Sequence, residues 1–253
     1  MPTLTILGSS FAIPDEQHEN THLVVTGENE GLLIDCPGNP VMRLMKAGIE
    51  PNRLTDVLVT HFHPDHVSGF PLLMMDLWLL GRTRPLRIHG LGYTLERVQR
   101  NMALYDWEDW PGFFPVQFNY LEETEMFPVQ AQANEAWRVY SSPVEHMIPN
   151  VGVRVEFLGS GKTLAYSSDT QPCPQVVRLA RGVDVLIHES TGVEAGHTGP
   201  AQAGEIAQEA GAKRLYLIHY PTGEYARPGL AEQAAEAFGG PVALAEDLLR
   251  IEF

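Results

Sequence analysis

Thiols are nearly missing from this chain of 253 residues: Cys36 and Cys173 are its only cysteines. Two thiols make no disulfide framework, and a reduced, cytoplasmic setting fits them. Basic residues are also scarce, 17 Lys and Arg against 32 Asp and Glu, giving a formal net charge of −15. That balance opposes polyanions and disfavours a non-specific nucleic-acid binder. No apolar run is long enough to span a membrane. The greasiest stretch, residues 70–80, contains Asp76 and reads as a buried helix ending at Gly81. Met1-Pro2-Thr3-Leu4-Thr5-Ile6 has neither a basic region nor a small-residue cleavage site, so no signal peptide is expected. There is no repeat with a period of about 20–50 residues. There is no Gly/Ser-rich or Pro-rich linker either, so residues 1–253 read as a single domain.

What the chain does have is a concentration of ligand side chains. His61-Phe62-His63-Pro64-Asp65-His66 places three imidazoles and a carboxylate within one tight turn. The preceding Asp56-Val57-Leu58-Val59-Thr60 is a β-branched apolar run and reads as a buried strand. A strand feeding such a turn is a rigid platform for side chains at its end. Imidazole and carboxylate suit zinc and other borderline divalent ions. One ion cannot easily take all four side chains from so short a loop. Two ions side by side can, each filling its shell from residues further along.

The rest of the chain supplies partners at strand ends. Strands are expected at 3–7, 22–25, 32–35, 85–89, 137–144, 151–157, 163–168, 183–187 and 215–218. Helices are expected at 41–47, 200–210 and 228–238, and another opens at Thr94 as N-cap, with Leu95, Val98, Met102 and Tyr105 at helical spacing. Residues 242–253 read as a closing hairpin or pair of strands. Alternating strands and helices imply α/β layering. His146, Asp169 and His219 each follow an apolar strand, where α/β proteins place their sites. Between residues 105 and 118, Trp107, Trp110, Phe113, Phe114 and Phe118 crowd around Pro111, Gly112 and Pro115. This segment suits a lid or wall of a substrate pocket, an oligomer surface that would make a homodimer, or a loop covering the core with its own rings.

In this order, His61-x-His63-x-Asp65-His66, His146, Ser168-Asp169-Thr170 and Ile218-His219 resemble the metallo-β-lactamase superfamily. Leu7-Gly8-Ser9-Ser10, Leu33-Ile34-Asp35-Cys36 and His188-Glu189-Ser190-Thr191, followed by His197-Thr198, resemble its ribonuclease Z-like branch. The resemblance implies an α/β fold, the αβ/βα four-layer sandwich, with two mixed sheets face to face and metals at one edge. It implies that His61, His63 and His146 hold one Zn2+, that Asp65, His66 and His219 hold a second, and that Asp169 bridges them. Mn2+ or Fe2+ would also suit these donors. Two cations would bring the pKa of a shared water from about 15.7 toward about 7. His197, oriented by Glu189, is the candidate for protonating a leaving oxygen, a role the resemblance also implies. With Asp65 these make the catalytic set. Asp35 reads as orienting a metal-binding histidine or pinning a loop, and His188 as structural.

One part of that branch is missing. Its tRNA-gripping arm lies between the strands carrying the equivalents of His146 and Asp169, where this chain has two strands and a Gly159-Ser160-Gly161 turn. Pro14-Asp15-Glu16-Gln17-His18 is acidic where the branch is usually basic. The expected activity is therefore hydrolysis of a small or short phosphodiester by a dinuclear-zinc enzyme, with nucleic acid disfavoured as partner and no membrane. A hydrolase of a lactone, thioester or β-lactam, and a ribonuclease Z-type tRNA 3′ endonuclease, are the competing readings.

Overall fold

A computed structural model describes residues 1–129, 136–194 and 196–253. Its strands are built from residues that are apolar on both faces. In β1 (Thr3–Gly8), Leu4 and Ile6 enter one core while Leu7 enters another. After β2 (His22–Thr26) and β3 (Gly31–Ile34), β4 (Asp56–Leu58) divides likewise, Leu58 inward and Val57 outward. Burial on both faces is what covered parallel strands require. With β5 (Leu86–Leu91), β6 (Val116–Leu121) and, from the chain's end, β14 (Arg250–Glu252), they form a sheet of order β14-β1-β2-β3-β4-β5-β6. Its β3–β6 portion is parallel and the remainder antiparallel.

The second sheet repeats the plan. It contains β7 (Phe127–Pro128), β8 (Trp137–Val144), β9 (Asn150–Phe157), β10 (Thr163–Tyr166), β11 (Val185–Glu189), β12 (Leu215–Ile218) and β13 (Val242–Leu244), in order β13-β12-β11-β10-β9-β8-β7. The β10–β13 portion is parallel. One core lies between the sheets, with Ile34, Leu58, Val153 and Ile187 among its members. Helices α1 (Pro40–Lys46), α2 (Pro64–Val67), α3 (Phe70–Leu79) and α4 (Gly92–Ala103) belong to the first half, and α1, α3 and α4 cover the outer face of its sheet. Helices α5 (Pro174–Leu179), α6 (Pro200–Ala210) and α7 (Leu230–Phe238) cover the other. The result is the expected αβ/βα four-layer sandwich.

Two expectations need revision, and two are resolved among their alternatives. Helix α4 begins at Gly92, directly off the end of β5, so Thr94 is fully buried inside the helix and caps nothing. Helix α3 is buried on one face only, through Phe70, Leu73, Met74 and Leu77, while Leu72 and Leu79 are 40 % and 67 % exposed. Residues 242–253 form the expected pair of strands and not the alternative hairpin: β13 pairs with β12 and β14 with β1, one in each sheet. The aromatic run is partly a strand, since Phe118 lies in β6. Its Phe114 is buried in the outer core and Trp107, Phe113 and Phe118 pack against it. Trp110 stacks on Trp78 at 5.2 Å. The run covers the core with its own rings.

Strand direction places the site. The parallel strands β3, β4, β10, β11 and β12 lead into Asp35, the His61 turn, Asp169, Glu189 and His219, respectively. Strand β8 runs antiparallel to β9, which runs antiparallel to β10, so β8 ends at the same edge, with His146 just beyond it. Carboxyl ends of strands are where open α/β sheets bind ligands.

Candidate metal centre

Three non-glycine residues at that edge have left-handed backbone: Asp35 (φ 61°), Ser168 (φ 56°) and His219 (φ 53°). Such conformations cost of order 1–3 kcal/mol each and persist where the surroundings hold them. Here the turns aim side chains across the cleft between the sheets. His61, Asp65 and His66 come from the turn and α2; His146, Asp169 and His219 come from the opposite sheet.

The ring nitrogens form a first group. His61 Nε2 and His146 Nε2 each lie 3.1 Å from His63 Nδ1. His63 Nδ1 bears at most one proton, so it cannot satisfy both contacts as ordinary hydrogen bonds. Thr60 Oγ1 gives its proton to Asp35, so it accepts from His61 Nδ1 at 3.0 Å. His146 Nδ1 donates to the Gly196 carbonyl at 2.8 Å. In both rings Nε2 is then a lone pair, and both lone pairs face one atom of His63. A tetrahedral zinc with bonds of about 2.0–2.1 Å sets its ligand atoms about 3.3 Å apart, which is this spacing.

The second group has the same logic with carboxylates. His66 Nδ1 donates to Asp35 Oδ2 at 2.8 Å, leaving Nε2 3.6 Å from Asp65 Oδ2 and 3.4 Å from Asp169 Oδ2. Thr191 Oγ1 donates to the His219 carbonyl and accepts from His219 Nδ1 at 2.8 Å. His219 Nε2 is thereby 3.4 Å from Asp65 Oδ2 and 3.5 Å from Asp169 Oδ2. Lone pairs facing carboxylate oxygens repel unless a cation lies among them. Asp169 Oδ1 and His66 Nε2 are buried polar atoms with no hydrogen-bond partner among the described residues. The donor set fits divalent metal. Asp169 belongs to two clusters of possible ligand atoms, a four-donor one with Asp65, His66 and His219 and a three-donor one with His146 and His197. It therefore stands between the two groups, 3.9 Å from His61 Nε2.

Charge and burial agree. Burial, helped by neighbouring imidazoles, keeps His61 well below its usual pKa and lowers His63 and His146. All three are then neutral donors, as a metal requires. Burial would also lower His66, but the Asp169 and Asp35 carboxylates outweigh it and raise His66 well above its usual value. A proton there compensates the two carboxylates; a dication would take that place.

His197 and Glu189 adjoin these groups. Glu189 is fully buried and accepts from Thr170 N, Thr198 N and Thr191 N at 2.9–3.1 Å. Its Oε1 also meets His197 Nδ1 at 3.0 Å. Burial raises the carboxyl of Glu189, against the pull of His197. Burial lowers His197, but the bond to Glu189 outweighs it and the imidazole is raised above its ordinary value. His197 shares a cluster of possible ligand atoms with His146 and Asp169, so a proton on its free nitrogen sits at the edge of the metal set.

All nine sequence-derived site residues thus converge. Reading the sequence missed the outer partners Thr60, Thr191 and Gly196; Asp35 was foreseen. His188 is buried with Nδ1 bonded to the Glu189 carbonyl. Outside this set, buried His89 and His22 pair with Asp56 and the Asn20 carbonyl. A cavity of about 570 Å³ opens beside His146, lined by residues 144–149, Gln171 and Gly196 and by none of the aromatic run.

A model of the "Beta-lactamase superfamily domain" matches residues 32–220. A ribonuclease Z of Methanothermobacter thermautotrophicus is 29% identical, covering 100% of this chain and 97% of the relative. That match runs over 306 positions, 53 more than this chain has residues. Among solved structures, the metallo-beta-lactamase fold protein YhfI from Bacillus subtilis superposes with a TM-score of 0.84 at 22% identity, over 100% of this chain and 99% of that one. Human tRNase Z, short form, superposes with a TM-score of 0.79 at 25% identity, over 99% of this chain and 98% of that one.

Proposed function

This chain belongs to the β-lactamase superfamily and is a metal-dependent hydrolase, and we propose that its substrate is a small phosphodiester cleaved at a pair of zinc ions. His61, His63 and His146 would hold one ion, Asp65, His66 and His219 the other, and the Asp169 carboxylate both. Bound there, the ions supply an activated water at neutral pH and positive charge for the phosphate oxygens. The protein's part is to aim the donors and to move a proton. Thr60, Asp35, Gly196 and Thr191 fix which nitrogen of each ring faces the centre. His197, held by buried Glu189, carries the proton that the departing oxygen needs.

The observation that supports phosphodiesters is this proton donor beside the metal set, 3.0 Å from a carboxylate fully shielded from solvent. Lactone opening leaves its alkoxide tethered and has less use for it. Zinc-loaded protein should hydrolyse bis(p-nitrophenyl) phosphate. His197→Ala should lower kcat about 10²–10⁴-fold while leaving metal content unchanged. Failure of the fully loaded protein to turn over this diester, or an unimpaired variant, would contradict the proposal.

The ribonuclease Z names favour a second reading, cleavage of precursor tRNA. The longer relative has at least 53 positions without a counterpart here. Strands β9 and β10 are joined by a turn of residues 158–162. We expect diester turnover without cleavage of a precursor tRNA; efficient cleavage would establish the second reading instead. Both cysteines are free and buried, which suits a reducing compartment such as the cytoplasm. No helix among the described residues is long and apolar enough to cross a membrane.

A further inference from the structure

The cavity beside His146 has a definite chemistry. Its volume of about 570 Å³ lies within the range of small-molecule pockets. Its floor is apolar: Met147 is 62% exposed, and Ile148 and Pro149 follow it. Apart from His146, its lining among the described residues carries one ionisable side chain, Glu145, and no Lys or Arg. Such a lining does not suit a second phosphate.

Glu145 is held in register with the metal set from both sides. It precedes His146, and its backbone is tied to the segment after Asp169. Glu145 N donates to Thr170 Oγ1 at 3.2 Å, and Gln171 N donates to the Glu145 carbonyl at 2.9 Å. Gln171 Nε2 donates to one oxygen of the Glu145 carboxylate at 2.7 Å. The side chain is exposed, so its second oxygen is open to a ligand.

We infer that this cavity is the subsite for one organic arm of the substrate, and that it takes an amino-bearing nucleobase whose N–H groups Glu145 accepts. The inference rests on the phosphodiesterase reading, since it is the phosphate on the metals that delivers the arm to the cavity. Cytosine, adenine and guanine present exocyclic amino donors to a carboxylate. Uracil presents carbonyl oxygens beside its N–H, and these repel one. Met147 and Pro149 offer the flat face of the base an apolar surface.

The test is calorimetric binding of CMP, AMP, GMP and UMP to zinc-loaded protein. The three amino-bearing nucleotides should bind at least about fivefold more tightly than UMP. Glu145→Gln, an isosteric change at an exposed side chain, should bring all four within about twofold of one another. Met147→Asp should weaken all four by a similar factor. Four equal affinities in the parent protein, no binding at all, a preference that survives Glu145→Gln, or indifference to Met147→Asp would each overturn the inference. Lack of bis(p-nitrophenyl) phosphate turnover in the same preparation would sink the phosphodiesterase reading alone, because the binding ratio requires no turnover.

Discussion

Thr191 decides which way His219 presents its ring. Its hydroxyl is committed as donor to the His219 carbonyl, so it can only accept from Nδ1, and Nε2 is left for the cleft. Thr191→Val keeps the shape and removes the acceptor. Affinity for zinc, measured by competition with a chelating dye, should fall about 10–100-fold; an unchanged affinity would contradict the role. Asp56 illustrates a different use of a carboxylate. At the opposite end of β4 from the ligands, it accepts from Arg87 Nε and pairs with His89 Nε2 at 2.7 and 2.8 Å. Burial alone would raise its pKa, but the bonds from His89 and Arg87 outweigh this and lower it. A depressed carboxylate stabilises the fold above its unfolded pKa of about 3.9. That contribution is lost as pH falls through the lower folded value. Asp56→Ala should cost about 3–5 kcal/mol at pH 7 by urea unfolding, and the difference should shrink below about pH 4. A constant difference down to pH 2 would contradict the assignment. At this scale the ligands were legible because histidine and aspartate are rare and fell at strand ends. Thr60, Thr191 and Gly196 were not, because a hydroxyl or a carbonyl carries no signal until the fold brings it to a ring nitrogen.

Among elements, α3 separates what apolar composition says from what packing uses. Phe70, Leu73, Met74 and Leu77 recur at helical spacing and are buried, while Leu79 at the last turn is 67% exposed. Leu73→Ala should destabilise by about 2–5 kcal/mol, whereas Leu79→Ala should change stability by less than about 0.5 kcal/mol. Equal losses in a denaturant titration would show that the helix is covered on both faces. From sequence this helix looked uniformly buried because nearly all its residues are apolar, which leaves no periodicity to mark the outer face. Strand β6 was hidden for another reason: its Val116 and Phe118 continue a run already dense in rings, and its edge position leaves it half-exposed. Elements bounded by Pro and Gly were easier. Helix α6 runs from Pro200 to Ala210 as the sequence suggests, with Gly211 in left-handed conformation as its C-cap.

For the whole molecule, the decisive property is that two similar half-sandwiches meet along one ligand edge. Each sheet joins a parallel and an antiparallel portion, and the inter-sheet core ties them together. The residues that face one another across that edge are separated by up to 158 positions, from His61 to His219. Strand order and the resemblance together made this convergence legible, but the shape of the cleft was not, since no local pattern encodes a cavity between loops. The chain carries a formal net charge of −15. Among the described residues, the lining of the cavity beside His146 carries no Lys or Arg, so attraction of a phosphate falls to the metals. The central claim is that these seven side chains hold two cations. An anomalous-difference map from zinc-loaded crystals, recorded at the zinc edge, tests it most directly. Two peaks about 3.5–4 Å apart, one among His61, His63 and His146 and one among Asp65, His66 and His219, with Asp169 between, is the predicted result. A single peak, or peaks away from these residues, would contradict it.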